Sequence, residues 1–260
     1  ERLKITDWIP GNSEIELTKP ITTPAILNEL PHSEVTLAEA FKDAGYKTFY
    51  AGKWHLGAEG YHPDQHGYDI NKGGYHAGQP ASYYAPYTNP RLKDGPEGEY
   101  LTDRLTDETL TFMKEQGDEP FFAMLSFYTV HTPITAAKPY LAYYKNKAAL
   151  LPDLTSDTHI EKNGAMSRIR QDSPEYASMV HALDVNIGRL LDGLNDLGLD
   201  KNTIIILTSD NGGLSTLPRL APTSVKPFRA GKGWVYEGGI RIPLMIRAPG
   251  ITVAGTESSI

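Results

Sequence analysis

Three short apolar runs constrain this 260-residue chain more than any other feature: "PFFAMLSFYTV" (120–130), "TIIIL" (203–207) and "IPLMIRAPG" (242–250). Each falls well short of the roughly 18 residues that a membrane span needs. Each is also too continuously apolar for a strand with one wet face. Runs of this length fit strands buried on both faces, as in parallel sheets covered by helices.

Helical patterns alternate with these runs. In "PHSEVTLAEAFKDAGY", Ser33 can cap a helix whose apolar residues are Val35, Leu37, Ala38 and Phe41, and Gly45 supplies the stop. "KTFYA" then reads as a short strand. Helical spacing returns in "LTDRLTDETLTFMKEQG" through Leu101, Leu105 and Phe112. The clearest helix is "SPEYASMVHALDVNIGRLLDGLNDLG". It has Ser173 at the cap, Pro174 in the first turn, Gly198 at the end, and an apolar face of Tyr176, Met179, Val180, Leu183, Ile187, Leu190, Leu191 and Leu194. Residues 58–100, rich in Gly, Pro, Tyr and Asn, read as a long irregular insertion, and 132–172 show no clear pattern. Alternating strands and helices predict an α/β fold: a mostly parallel central sheet flanked by helices. No internal repeat or convincing linker divides the chain.

A formal net charge of -7 argues against a general nucleic-acid binder, because no basic excess is present to neutralise phosphates. No membrane association is expected. Cysteine is absent, which removes disulfides, thiolate metal sites and a cysteine nucleophile from these residues.

The polar residues fall where such a sheet puts its ligands. Lys53 and His55 follow the first strand, bracketed by Gly52 and Gly57 in "AGKWHLG"; His131 follows the second; Asp210 and Asn211 follow the third. Open α/β sheets bind ligands beyond the carboxyl ends of their strands. Lys232, between two glycines in "RAGKGWVYEGGIRIP", sits just ahead of the last strand. Asp210 and Asn211 offer hard oxygen ligands suited to Ca²⁺ or Mg²⁺, although two are too few for Ca²⁺. A divalent cation with lysines and histidines suits a tetrahedral oxyanion ester whose leaving oxygen must be protonated, and sulfate and phosphate esters both fit. Plainer readings stand beside these: a solvated loop for Lys53 and His55, an Asx-Gly turn for Asp210, a backbone-satisfied histidine for His131, and a mobile loop for Lys232.

Other motifs are weaker. "HPDQH" sets His62, Asp64 and His66 at alternate positions, but no second cluster completes a zinc sphere. His181 lies off the apolar stripe of its helix, which predicts a solvated face. Tyr75, His76, Tyr83, Tyr84 and Tyr87 read either as a sugar-binding cleft or as the packed interior of a long loop. "AGKGW" lacks the spacing of a phosphate-binding P-loop.

"AGYKTFYAGKWHLG", "HTP", "TSDNGG" and "GKGWVYEGGIRIPLMIRAPG" together, in that order, resemble the sulfatases of the alkaline-phosphatase-like superfamily. The resemblance runs from about "EVTLAEAF" to "RAPG". It implies that Asp210 and Asn211 are Ca²⁺ ligands, with Mg²⁺ the less favoured ion. Lys53 and Lys232 would contact the sulfate, His55 would hydrogen-bond the nucleophile, and His131 would assist the leaving alcohol. It further implies a formylglycine nucleophile made in a C/S-x-P-x-R motif, and an upstream paired aspartate. Neither motif occurs here, and "ERLKITDWIPG" resembles the stretch that follows the nucleophile helix. The expectation is therefore a partial catalytic domain over 1–260. It would lack the first strand, the nucleophile helix and the C-terminal subdomain, and would be inactive alone. The implied substrate is a sulfated small molecule or saccharide, and the implied location periplasmic, lysosomal or secreted. Phosphodiester or phosphonate hydrolysis, and glycan binding without catalysis, are the alternatives.

Overall fold

A computed structural model describes residues 27–152, 159–162, 165–217 and 221–258. The "ERLKITDWIPG" stretch lies outside them. The chain divides into two compact units. The larger comprises Pro31–Asp153, Asp172–Asp210 and Ile242–Ile260; the smaller includes Leu154–Gln171 and Asn211–Arg241.

In the larger unit, β1 (Lys47–Gly52) is the middle strand of a parallel sheet. β2 (Ile70–Lys72) pairs on one side and β3 (Phe121–Ser126) on the other. β1 is buried from Thr48 to Gly52. Helix α2 (Leu101–Gln116) packs on β1 and β3, α4 (Pro174–Asp196) packs on α2, and α3 (Lys138–Ala149) packs on α4. Phe49 stacks on Phe112 with ring centroids 4.5 Å apart, and Leu101, Leu105, Met179 and Leu194 close the core around them. Each such fully buried side chain contributes about 1.5–3 kcal/mol. Asn186 is buried at the α2–α4 contact because its amide has partners: it donates to Asp103 Oδ1 at 2.6 Å and to the Ala182 carbonyl at 2.8 Å.

The caps follow local chemistry. Ser173 accepts from the Tyr176 N–H at 3.3 Å, Pro174 occupies the first turn, and Gly198 turns the chain out at φ 71°. Helix α1 (Leu37–Asp43) departs from expectation. Its cap is Thr36, not Ser33, because Thr36 and Glu39 form a reciprocal capping box; Val35 and Leu37 are exposed.

Two sequence expectations fail on burial and register. The run expected to be buried as β3 is only half-buried, with Met124 exposed. β6 (Ile205–Thr208) pairs antiparallel with β7 (Leu244–Arg247) rather than joining the parallel set. Ile204, Ile206, Leu244, Met245 and Ile246 are exposed, so this strand pair is apolar without being covered. Within 58–100, β2 supplies a strand where only irregular chain was expected.

The smaller unit holds the hairpin β4 (His159–Lys162) and β5 (Ala165–Arg168), antiparallel, and the short helix α5 (Glu237–Ile240). Ser167 bridges to Thr216, and the Ser215 hydroxyl donates to the Ala230 carbonyl at 2.9 Å.

Candidate functional site

β1 and β3 stay in register to their last residues, Gly52 opposite Ser126, so the chain leaves both strands at one rim. The Lys53 N–H donates to the Ser126 carbonyl at 2.8 Å. Gly52 has φ 99°, and a β-carbon there would collide with the Ser126 carbonyl oxygen. Glycine is therefore required where the lysine loop begins. His55 adopts φ 58°, a left-handed conformation that costs a non-glycine residue roughly 1–2 kcal/mol. Its N–H donates to the Tyr75 carbonyl at 3.1 Å, and its ring lies against Gly78, where an added β-carbon would fall 2.5 Å from Cε1.

The turn after β3 is pinned by Tyr83, whose hydroxyl lies 2.8 Å from both the Tyr128 and the His131 carbonyls. The His131 N–H donates to the Tyr128 carbonyl at 2.8 Å. The half-buried imidazole places Nδ1 3.1 Å from the Thr132 carbonyl and 3.2 Å from Thr132 Oγ1. Thr132 Oγ1 in turn donates to Gln79 Oε1 at 3.3 Å.

Asp210 enters from the end of β6. Its Oδ2 lies 3.8 Å from Lys53 Nζ; the lysine side chain is 18% exposed and the carboxylate 67%. The larger unit thus holds Lys53, His55, His131 and Asp210, with Lys53 linked directly to Asp210. In the smaller unit, the Gly212 N–H donates to the Gly239 carbonyl and the Lys232 N–H to the Gly213 carbonyl, both at 2.9 Å. These bonds set the Lys232 loop beside the turn that begins at Asn211. Lys232 is buried, at 8% exposure.

Asp210 and Asn211 match a hard cation in donor type. Among the described residues no group of three or more His, Cys, Asp or Glu side chains could hold a metal, and two donors are fewer than the six to eight oxygens Ca²⁺ takes. His62 is taken up otherwise: its Nδ1 accepts from Arg91 Nη2 at 2.8 Å.

Two further expectations are resolved. Tyr75, Tyr83 and Tyr87 are buried in the core, and Tyr84 binds the Ala136 carbonyl and the Lys138 N–H; the aromatic loop is packed interior and His76 alone is exposed. His181 is not solvated but half-buried, stacked on Tyr140 at 4.0 Å, a partner supplied by α3, which the sequence pattern had hidden. Sequence reasoning missed Gly78, Gln79 and Thr132. The only trace of them is the glycine-rich "GGYHAGQP" and the residue after His131.

A family model described as Sulfatase matches residues 12–259. An ulvan-active sulfatase of Formosa agariphila is 32% identical over 245 residues, covering 89% of this chain and 45% of that protein. N-acetylgalactosamine-6-sulfatase of Homo sapiens is 31% identical over 260 residues, covering 91% of this chain and 44% of that protein. The chain therefore spans a little under half the length of these curated relatives. A solved structure of Ps i-CgsB in complex with k-i-k-neocarrahexaose superposes with a TM-score of 0.68 at 27% identity, over 86% of this chain and 49% of that one. PsFucS1 sulfatase from Pseudoalteromonas sp., at 24% identity, TM-score 0.58 and coverage of 84% and 46%, bears on the fold alone. With nearly its whole length matched by the family model, the chain belongs to the sulfatase family.

Proposed function

We propose that this chain supplies part of the active site of a hydrolase that cleaves a sulfate monoester on a saccharide. The observation that carries the reading is the meeting of Lys53, on the rim that also bears His55 and His131, with the carboxylate of Asp210 at 3.8 Å. The saccharide is supported by the relatives: one is named for ulvan, another for N-acetylgalactosamine, and Ps i-CgsB was solved with a neocarrahexaose.

In this reading Lys53 places positive charge against the sulfate oxygens, where charge develops as the ester bond breaks, and the family resemblance alone gives Lys232 the same role. His55 orients the hydroxyl of the nucleophile by hydrogen bonding. His131 gives a proton from Nε2 to the leaving alcohol oxygen, which departs as a neutral hydroxyl. Asp210 and Asn211 would hold Ca²⁺, which supplies Lewis-acid polarisation of a sulfate oxygen. The nucleophile is a formylglycine outside the 260 residues, since they contain no cysteine and no S-x-P-x-R.

The test is hydrolysis of p-nitrophenyl sulfate and p-nitrophenyl phosphate by the protein that contains this chain, before and after chelation with EGTA. Sulfate turnover above phosphate turnover, lost on chelation and restored by Ca²⁺, is expected. The opposite preference would move the protein to phosphoryl transfer.

A further inference from the structure

The segment from Gly73 to Gln79 touches His55 and reaches Thr132, the residue after His131, yet the mechanism above assigns it no role. The Gly73 carbonyl accepts from the Tyr128 hydroxyl at 3.3 Å and from Asn89 Nδ2 at 3.0 Å, which anchors the segment to the turn after β3. The Tyr75 carbonyl holds the His55 backbone, Gly78 lies under the His55 ring, and the Gln79 side chain reaches Thr132. The segment straps His55 to the turn that carries His131.

Counting hydrogens gives the contact at His131 a direction. Nδ1 lies 3.1 Å from the Thr132 carbonyl, an atom that only accepts, so Nδ1 carries the proton. Thr132 Oγ1, 3.2 Å from the same Nδ1, must then accept there as well. Its single hydrogen has to go elsewhere, and Gln79 Oε1 at 3.3 Å takes it. We propose that Gln79 is a positioning residue: by holding the Thr132 hydroxyl hydrogen, it leaves two acceptors facing His131 Nδ1, which keeps Nδ1 protonated in the neutral ring and in the imidazolium, so the proton the imidazolium gives up is the one on Nε2. Without Gln79 the hydroxyl can rotate and donate to Nδ1. A donor at Nδ1 favours the opposite tautomer and opposes the imidazolium, so less of the proton-donating form is present. The consequence for turnover rests on the sulfatase reading; the tautomer does not.

The experiment is side-chain ¹⁵N–¹H correlation spectroscopy of the histidines in the protein, with His131→Gln identifying the signal. Wild type, Gln79→Ala and Gln79→Glu are compared, and the same three proteins are assayed on an alkyl and an aryl sulfate. Wild type is expected as Nδ1–H. Gln79→Ala is expected to mix the tautomers and lower the His131 titration midpoint, whereas Gln79→Glu, which keeps an acceptor and adds negative charge, raises it. Loss of a complete general acid costs roughly 10²–10⁴-fold, so a misoriented one is expected to cost about 3–10-fold in kcat on the alkyl ester. The effect on the aryl ester, whose phenolate leaves without help, is expected to be small, and KM to hold. An Nε2–H tautomer in wild type, or His131 signals unchanged in Gln79→Ala, would overturn the proposal. The spectral change without turnover of either ester overturns the sulfatase reading and leaves the positioning role standing.

Discussion

Lys53 Nζ stands 3.8 Å from Asp210 Oδ2, which joins the residue after β1 to the second residue after β6 although the two strands lie in different hydrogen-bonded sheets. With the carboxylate so exposed, the pair is worth about 0–1 kcal/mol to stability. Under the proposed function its value lies in placing a cation beside a hard oxygen ligand. Lys53→Ala is expected to lower kcat/KM on an aryl sulfate by about 100-fold or more, in the range lost when one preorganised charge contact is removed. The melting temperature should move by only a degree or two. A large drop in melting temperature would make the lysine structural.

Gly52 is where the lysine loop leaves the sheet, at φ 99° against the Ser126 carbonyl. Gly52→Ala would add both left-handed strain and a backbone collision, together roughly 1–3 kcal/mol or more. Chemical denaturation should show the midpoint falling with an unchanged m-value. Gly78→Ala differs: its φ is ordinary and the clash is with the His55 ring. The expected result is a fall in kcat at nearly native stability, so the two alanines separate a fold requirement from a site requirement.

The elements whose signals are local were legible in the sequence. Ser173, Pro174 and Gly198 mark α4 at both ends, and Gly52, Ser126 and Thr208 close strands whose following residues are the predicted site. What could not be read depends on partners distant in sequence. Thr36 outcompetes Ser33 as a cap only because Glu39 stands three residues on. α3 buries no residue, so its lysines and tyrosines leave no apolar stripe to detect. β6 and β7 have apolar composition, yet composition does not reveal that they pair antiparallel with Ile206 and Leu244 exposed. The placement of Lys53, His55 and His131 after β1 and β3 could be read from motif and strand position. The contact of Gln79 could not, because its partner is a hydroxyl 53 residues away.

His66 is fully buried, and neither ring nitrogen has a partner among the described residues. His32 stacks on it at 4.9 Å, with Tyr61 and Trp54 alongside. Burial, then the neighbouring His32, holds its pKa below 6.5; Glu39 pulls the other way. With the folded pKa depressed, the unfolded chain binds more protons between the two values. The associated stability is then full above pH 6.5 and declines as pH falls below it. His66→Phe keeps a ring in the stack and removes two unsatisfied nitrogens, so its gain in melting temperature over wild type is expected to be larger at pH 5 than at pH 8. Equal differences at the two pH values would show that His66 does not titrate with unfolding.

Asp69 ties α1 to β1. Its Oδ1 lies 2.8 Å from Lys42 Nζ, and its Oδ2 lies 3.5 Å from Lys47 Nζ and accepts from the Thr48 N–H at 3.1 Å. Burial alone would raise its pKa, but the hydrogen bonds from Lys42 and the Thr48 backbone and the charges of Lys42 and Lys47 outweigh it and hold the group at about 2. A depressed carboxylate adds stability that is complete above the unfolded value of 3.8 and is lost as pH falls from there through about 2. Asp69→Asn retains an acceptor for Thr48 and removes only the charge, so it is expected to cost roughly 1–2 kcal/mol at pH 7. Urea unfolding of both proteins at pH 7, 4 and 2 should show that gap narrowing with acid and mostly gone at pH 2, where the wild-type carboxylate is about half protonated. A gap of constant size would place the contribution of Asp69 in its geometry against Thr48 and not in its charge.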